Sequence, residues 1–306
     1  MTILITGASG FLGRAVVERL AHAGWPLRLA LRRAPAEARF ETALIGDLAG
    51  PVAWDAHLAG ITAIVHLAGL AHQPPGTPDR LMFQVNTDAS DALARAAARA
   101  GISRFIHISS VRAIVGPSSP VALGEDAAAM PTDAYGRSKH AAELAIAAHV
   151  PQSVNLRPTL IVGAAAGGNL GRLARAARLA VPLPVGGFHG RRSLTTDRSV
   201  AAAIGFLLAR DPADWPRSAL VAHDRPLSVA EIIAALRGAA GRAPGLFPLP
   251  ATLMRAGARL SGRREALERL DGDLIVQPTR LAALGFAPPE TLEQALARLM
   301  PGRERS

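Results

Sequence analysis

The sequence holds a single tyrosine, Tyr135, and a single lysine, Lys139, which lie four residues apart. Residues four apart share one face of a helix, so both side chains can point into the same cleft. A free phenol is a poor base at neutral pH, but a nearby ammonium favours the phenolate and lowers the pKa of the phenol. The pair therefore predicts proton transfer to or from an alcohol or carbonyl oxygen, with Tyr135 as the acid or base.

A second candidate group is a pair of serines, Ser109 and Ser110, which follows the apolar run Phe105–Ile108. That run predicts a strand, so the serines stand at its carboxyl end, where ligands of parallel sheets bind. A hydroxyl at this position can donate a hydrogen bond to the reacting oxygen and orient it. The residues themselves do not decide which of the two serines has this role.

Three glycines, Gly7, Gly10 and Gly13, come directly after the apolar run Ile3–Ile5 and open a predicted helix. Glycines in such a turn allow the close approach of a pyrophosphate, and the helix N-terminus adds free N–H groups and a positive dipole end. The spacing is G-x-x-G-x-x-G, which departs from the G-x-G-x-x-G pattern. We predict that a nicotinamide dinucleotide binds here, in contact also with the neighbouring residues Ser9, Phe11 and Leu12.

The ends of the next predicted strands supply the rest of this cofactor site. Asp47 can accept a hydrogen bond from an adenine amino group, with Leu48 beside it. Arg32 and Arg33 end the second strand, where an acid would hold the ribose 2′-hydroxyl of NAD; arginines there accommodate the 2′-phosphate and favour NADP. Small residues after the fourth strand let the cofactor lie against the sheet edge: Leu67, Ala68 and Gly69.

The elements that must position these groups alternate along the chain. Short apolar runs and longer Ala-, Leu- and Arg-rich runs follow one another, which predicts an α/β fold with a doubly wound parallel Rossmann sheet. We predict one long helix over about 79–100, one strand over 154–162, and an NAD(P)-binding domain over 1–165. The remainder, 166–306, is predicted to be mainly a smaller substrate-binding cap, with 218–224 a candidate to return to the sheet.

Composition narrows the function classes. The formal net charge is +10, but the arginines are scattered and only 4% of residues are aromatic, so we expect no nucleic-acid partner. Without cysteine there is no disulfide or thiolate metal site, and we expect no metal. No apolar run is long enough for a membrane span, and the N-terminus has no basic leader, so we expect a cytoplasmic protein.

Together these motifs resemble the extended branch of the short-chain dehydrogenase/reductase family, the NAD-dependent epimerases and dehydratases, over nearly the whole chain. The family's glycine motif and its Tyr-x-x-x-Lys match the residues above. By this resemblance its catalytic Ser or Thr falls on Ser110 and its structural asparagine on Asn86. Its Arg-Pro falls on Arg157 and Pro158, which implies a cofactor contact for Pro158; Tyr135 and Lys139 would also touch the cofactor.

The second half resembles bacterial UDP-sugar 4-epimerases and dehydrogenases in segments such as 168–170, 183–186, 191–194 and 284–286. The resemblance implies that Asn169 and Arg192 contact a nucleotide diphosphate and that Ser110 contacts the sugar. Two departures stand out. The family aspartate after the Arg192 motif falls near Ser199, and Val111-Arg112 follow Ser110 where dehydratases carry an Asp-Glu pair.

Three hypotheses follow. The first is hydride transfer at C4 of a UDP-hexose, as epimerisation or as a net conversion between alcohol and ketone. The second is an NADP-dependent reductase of a small carbonyl compound. The third is a non-catalytic redox sensor that binds the nucleotide, against which the Tyr135–Lys139 pair counts. The partner is in the first case a nucleotide-sugar; the oligomeric state is open, and a homodimer is compatible with the sequence.

Overall fold

The computed structural model describes residues 1–71, 76–163, 168–249 and 271–300, and of residues 168 and 169 it describes the backbone only. Across these ranges no helix combines the length and the apolar character that crossing a bilayer requires. The same ranges contain no cluster of three or more His, Cys, Asp or Glu residues arranged to hold a metal ion.

One sheet of seven strands forms the centre of the fold, and every neighbouring pair in it is parallel. Its strands are β1 (Thr2–Thr6), β2 (Leu27–Leu31), β3 (Glu41–Leu44), β4 (Ile61–His66), β5 (Arg104–Ile108), β6 (Val154–Pro158) and β10 (Ser218–Val221). The spatial order is β10-β6-β5-β4-β1-β2-β3. This confirms the predicted doubly wound sheet, and the order reverses between β1 and β4, where such sheets bind ligands.

Helices cover both faces of the sheet. The helices of the described residues are α1 (Phe11–His22), α2 (Asp79–Phe83), α3 (Ala89–Arg99), α4 (Ala134–His149), α5 (Gly168–Ala177), α6 (Asp197–Leu208), α7 (Val229–Ala239), α8 (Arg280–Ala283) and α9 (Leu292–Ala297), of which α1 and α6 pack on one face of the sheet and α3 and α4 on the other. Successive side chains of a strand point to opposite faces. Ile3 and Ile5 therefore pack in one core with α1 and α6, while Leu4 packs in a second core with α3 and α4.

Two predicted elements are interrupted in the structure. The helix predicted over 79–100 contains one π turn, Gln84–Asp88, between α2 and α3. The strand predicted over 154–162 is two strands: β6 ends at Pro158, and β7 (Leu160–Val162) leaves the main sheet to pair with β9 (Leu194–Thr196). Both interruptions lie beside the predicted site, where π turns and strand ends commonly occur.

The chain after residue 165 has a core of its own, in which Leu170, Ile233, Leu236 and Leu296 pack together from α5, α7 and α9. A two-stranded antiparallel pair, β8 (Arg191–Arg192) with β11 (Leu227–Ser228), lies in the same part of the chain. In contrast, α6 packs on α1 and β10 pairs with β6, so this half also completes the Rossmann layer. The domain boundary near residue 165 stays a prediction.

Gly136 sets how closely α4 approaches the loop after β5. A Cβ at this position would lie 2.3 Å from the Arg112 carbonyl oxygen and 3.0 Å from the Cβ of Pro131. The first turn of α4 can therefore contact the Val111–Ala113 turn only because residue 136 has no side chain.

We expect Gly136→Ala to lower the free energy of unfolding by about 1–3 kcal/mol, because the added methyl overpacks a backbone contact. The matched control is Gly238→Ala in α7, where a Cβ would meet nothing within 4 Å. That change should raise stability by about 0.5–1 kcal/mol, as alanine restricts the unfolded chain. Urea denaturation measures both, and a stabilising Gly136→Ala would contradict the close packing described here.

Candidate active site

The glycine turn is shaped by contacts too short for any side chain. Gly7 has a positive φ of 70°, and a Cβ there would lie 2.7 Å from the amide nitrogen of Ala68. A Cβ on Gly13 would lie 2.1 Å from the Gly7 carbonyl oxygen. Gly10 is the N-cap of α1, and no side chain caps the first turn. The open amides of that turn and the bare backbone around it fit the pyrophosphate of a dinucleotide.

The other residues predicted at this turn surround it. Ser9 is exposed, whereas Phe11 and Leu12 are half-buried in the first turn of α1. The Phe11 ring reaches Gly163, because a Cβ on that glycine would lie 2.7 Å from the ring Cζ. Pro158 is buried at the carboxyl end of β6. The structure therefore brings these residues to one edge of the sheet, the edge that the sequence predicts for the cofactor.

The strand ends β2 and β3 place a cation beside an anion. Arg32 Nη1 lies 3.8 Å from Asp47 Oδ2, and both side chains are largely exposed. Asp47 also accepts a hydrogen bond of 2.9 Å from the Ala49 amide through Oδ1, and this bond stabilises the turn that follows β3. Arg33 is exposed and Leu48 is buried. An exposed ion pair of this length is weak, so Arg32 can turn to an incoming phosphate at little cost.

Asn86, on the π turn, ties the end of β4 to α4. Its side chain accepts from the Leu70 amide at 2.7 Å and donates to the Leu70 carbonyl at 3.0 Å. It also donates to Ser138 Oγ at 2.9 Å, one residue before Lys139. Gly69 lies against this junction, since a Cβ there would be 2.8 Å from Asn86 Oδ1 and 3.2 Å from Lys139 Nζ. The loop Leu67–Gly69 therefore borders Lys139 directly.

Helix α4 carries the predicted proton-transfer pair and begins at a side-chain cap. Asp133 is the N-cap and accepts a hydrogen bond of 2.7 Å from the Gly136 amide. One helical turn separates Tyr135 from Lys139, and both face the end of β5. Tyr135 is hydrogen-bonded to the Ser110 hydroxyl, and Lys139 Nζ donates to the Ile108 carbonyl at 2.8 Å. The three predicted catalytic residues thus meet at one place.

The neighbouring serine does not take part in this arrangement. Ser109 is buried, and its hydroxyl has no hydrogen-bond partner among the described residues. Its amide donates to the Leu156 carbonyl at 2.8 Å, within the sheet. Of the two serines, Ser110 is the one that contacts the phenol.

Sequence reasoning missed a salt bridge that joins the two segments of this group. Arg112 Nη2 lies 2.5 Å from Asp133 Oδ2, with the arginine side chain mostly buried. The pair connects the turn after Ser110 to the N-cap residue two positions before Tyr135. Asp133 has a recognisable capping position, but nothing in the local pattern around Arg112 indicates its partner, which lies 21 residues along the chain.

The pKa of Tyr135 departs from our expectation. We expected the Lys139 ammonium to lower it, yet burial raises the pKa of this phenol above its usual value. The Ser110 hydrogen bond and the positive charge of Arg112 oppose that rise, while the Asp133 carboxylate adds to it. The cation that acts on the phenol in this structure is therefore Arg112, whereas Lys139 donates to the Ile108 carbonyl and lies near His107 Nε2 on β5.

Burial also changes the ammonium. It lowers the pKa of Lys139 to about 8, against the opposing effect of the Glu143 carboxylate one turn further along α4. Glu143 is itself buried and forms a two-pronged salt bridge with Arg157 of β6, at 2.9 and 2.6 Å. At neutral pH Lys139 is mainly charged, and its charge is lost as the pH rises through about 8.

Comparisons with known proteins agree with this geometry. The model of the NAD dependent epimerase/dehydratase family matches residues 3–216. The chain belongs to that family. It is therefore an NAD-dependent enzyme of the epimerase and dehydrogenase type, and cofactor binding at the glycine turn stays a prediction.

Relatives of this epimerase/dehydratase chain include a UDP-glucose 4-epimerase of Vibrio cholerae, 30% identical over 310 residues, which cover 96% of this chain and 92% of the relative. A ceramide reductase of Caulobacter vibrioides is 36% identical over 189 residues, 60% of this chain and 53% of the relative. A UDP-glucuronic acid 4-epimerase from Bacillus cereus, solved in complex with NAD, has the same fold, with a TM-score of 0.77, 18% identity and coverage of 97% and 94%.

Two of the three predicted substrate residues of this family member, Arg192 and Asn169, are placed less completely than Ser110. Arg192 lies on β8 and is half-buried, and its Nη1 donates to the Pro117 carbonyl at 3.0 Å. Pro117 belongs to the loop that continues from the Ser110 turn. This contact therefore joins β8, in the second half of the chain, to the loop that follows Ser110. The side chain of Asn169 lies outside the described residues. Both substrate contacts stay predictions.

We expect Ser110→Ala to raise the pKa of Tyr135 further, because the variant removes the hydrogen bond that favours the phenolate. Since Tyr135 is the only tyrosine, absorbance at 295 nm reports its ionisation alone. Ser109→Ala is the matched control and should leave the titration unchanged. Circular dichroism on the same samples checks that the fold persists, and equal titrations for the wild type and Ser110→Ala would contradict the contact.

Proposed function

We propose that this enzyme transfers hydride at C4 of a UDP-linked hexose, with Tyr135 as the acid and base, and that its net reaction is epimerisation at C4. The observation that carries the proposal is the contact of Ser110 with Tyr135 beside Lys139, at the sheet edge that holds the glycine turn. The substrate class rests on the similarity to the Vibrio cholerae UDP-glucose 4-epimerase over 96% of the chain. Arg192 is then a diphosphate contact, because a planar guanidinium binds two phosphate oxygens at once.

In this proposal Tyr135, Ser110 and Lys139 have different roles in proton transfer and in binding. A nicotinamide cofactor held at the glycine turn would supply the hydride acceptor and donor for C4. With its raised pKa, Tyr135 holds its proton at neutral pH, which suits donation to the oxygen of a 4-keto sugar. Removal of a proton from a C4 hydroxyl needs the phenolate, which Ser110 and Arg112 favour. Ser110 also orients the sugar oxygen, and Lys139 holds the ribose hydroxyls of the cofactor.

The experiment incubates the purified protein with UDP-glucose or UDP-galactose and nicotinamide cofactor, and follows the sugar by chromatography and the cofactor at 340 nm. We expect interconversion of the sugars without net accumulation of reduced cofactor. Tyr135→Phe should reduce turnover by about 10²- to 10⁴-fold, as expected for loss of a general acid–base group. Ser109→Ala should keep its activity. If reduced cofactor accumulated in proportion to the sugar consumed, the net reaction would be an oxidation and the proposed epimerisation would be wrong.

We further propose that the cofactor is NADP, bound through Arg32 and Arg33. Support comes from their position directly after β2 and from the weak ion pair of Arg32 with Asp47. An arginine at this position can bind a 2′-phosphate, whereas NAD would offer it only a hydroxyl.

Arg32→Asp should weaken NADP binding by about 10- to 100-fold, which corresponds to a charge-assisted hydrogen bond of about 1.5–3 kcal/mol. The effect on NAD should be much smaller. Arg19→Asp, which makes the same charge change in the last turn of α1, is the control and should affect both cofactors little. Titration calorimetry on the wild type and both variants gives six dissociation constants, and equal losses for NAD and NADP in Arg32→Asp would refute the assignment.

A second candidate is an NADP-dependent reductase of a carbonyl compound. It is favoured by the similarity to the Caulobacter vibrioides ceramide reductase over 60% of this chain. It also suits NADP, because a reductase releases its oxidised cofactor whereas an epimerase keeps and recycles it. Consumption of NADPH with simple aldehydes or ketones, without any conversion of UDP-sugars, would favour this candidate over the first.

A further inference from the structure

Four polar residues form a row across the middle of the parallel sheet. Thr6, His66, His107 and Asn155 are paired in register on β1, β4, β5 and β6. All four are buried, and three of them have no exposed surface at all. Central strands of a parallel sheet are usually apolar on both faces. Buried polar side chains in such a place need hydrogen-bond partners, and the partners of this row lead to Lys139.

The hydrogen bonds of Asn155 fix which nitrogen of His107 carries the proton. Asn155 Nδ2 donates to the Arg217 carbonyl at 3.4 Å, so its Oδ1 faces His107 Nδ1 at 2.8 Å. An amide oxygen only accepts, so Nδ1 must be the protonated nitrogen of the imidazole. The other nitrogen, Nε2, then presents a lone pair, and it lies 3.5 Å from Lys139 Nζ.

The second histidine of the row has the opposite tautomer. Ser90 Oγ donates to the Asn86 carbonyl at 2.6 Å, so it accepts from His66 Nε2 at 2.8 Å. His66 Nδ1 accepts from the Thr6 hydroxyl at 2.7 Å. The two imidazole rings are stacked with centroids 5.7 Å apart. Burial holds the pKa of both histidines far below the usual value, so His107 accepts from the ammonium as a neutral ring.

The ammonium of Lys139 has three donors, and two of them have protein acceptors: the Ile108 carbonyl and His107 Nε2. Because the ammonium is tetrahedral, the directions of these two N–H bonds also fix the direction of the third N–H bond. Gly69 borders the ammonium where no side chain stands, because a Cβ there would lie 3.2 Å from Nζ. Gly69 belongs to the loop after β4, which the sequence analysis predicts to contact the cofactor.

We propose that His107 is a positioning residue for Lys139: its neutral Nε2, together with the Ile108 carbonyl, aims the remaining N–H of the ammonium at the ribose of the nicotinamide cofactor. The proposal rests on the cofactor role given to Lys139 above. Strand β5 and the turn that follows it would then supply both supports of the catalytic group, His107 for the lysine and Ser110 for the tyrosine.

The chain allows a direct test because Lys139 is its only lysine. Protein labelled with [¹³Cε]lysine gives a single signal whose shift follows the charge of this ammonium, without substrate or cofactor. The charged and titratable groups around Lys139 are His107, His66, Glu143 and Tyr135, and Arg157 neutralises Glu143. Variants at residue 107 leave the other groups, His66, Glu143 and Tyr135, in place. A change in the titration of Lys139 therefore reports the His107 contact.

We expect a midpoint near pH 8 in the wild type. His107→Leu removes the acceptor and should lower the midpoint by about 0.5–1 unit, because a hydrogen bond to the charged form is lost. His107→Gln is the conservative variant, with an amide oxygen near the position of Nε2, and should restore the wild-type midpoint. Identical midpoints in the wild type and His107→Leu would overturn the proposal, as would a shift that glutamine does not rescue.

Two further measurements complete the test. Should His107→Leu fail to fold, ¹⁵N-histidine spectra of the wild type give the tautomer directly: His107 is expected with a protonated Nδ1, and a protonated Nε2 would overturn the proposal. In folded variants, dissociation constants for the cofactor should rise by about fivefold in His107→Leu and stay unchanged in His107→Gln. A Lys139 midpoint that follows residue 107 without any turnover of UDP-sugars would leave this proposal standing and reject the function above.

Discussion

The burial of one ammonium group governs how the active site of this enzyme is assembled. Lys139 is 4% exposed, and burying a charge is costly unless hydrogen bonds and an opposite charge compensate it. The Ile108 carbonyl and His107 supply the hydrogen bonds from β5, and Glu143 supplies the charge from the next turn of α4. Glu143 in turn requires Arg157 on β6. These linked requirements fix α4 against two neighbouring strands.

The same helix is held at its start by a second set of contacts, and these decide where Tyr135 stands. Asp133 caps the helix and pairs with Arg112, and Gly136 lets the backbone of α4 touch the turn that follows Ser110. Because the cap and the salt bridge use the two oxygens of one carboxylate, the helix start and the serine turn cannot move independently. The phenol and the hydroxyl that contacts it therefore keep their relative position although 25 residues separate them in sequence (135 − 110 = 25).

Many elements of the fold and the residues of the candidate site could be predicted from local sequence. The contacts between those residues depend on strand order and register. The helix Phe11–His22, the strand Leu27–Leu31 and the family were predicted because glycine turns, apolar periodicity and the Tyr-x-x-x-Lys spacing are short-range signals. The break after Pro158 was missed, since apolar residues continue through Leu160–Val162 and only the pairing with β9 separates the strands. The pairing of His107 with Asn155 spans 48 residues, and it follows from strand order and register alone.

The composition gives a last argument about the ammonium. Of the 34 lysines and arginines in the chain only one is lysine, and it stands where the site requires a compact cation. A guanidinium would bring five N–H donors in a plane to a place that offers two acceptors among the described residues, and three donors would remain unsatisfied there. Its charge would also persist at every accessible pH, whereas burial brings the pKa of Lys139 to about 8. The geometry around Nζ therefore suits an ammonium better than a guanidinium: two of its three tetrahedral donors are held by the Ile108 carbonyl and His107 Nε2, and the third is the one that we propose for the cofactor.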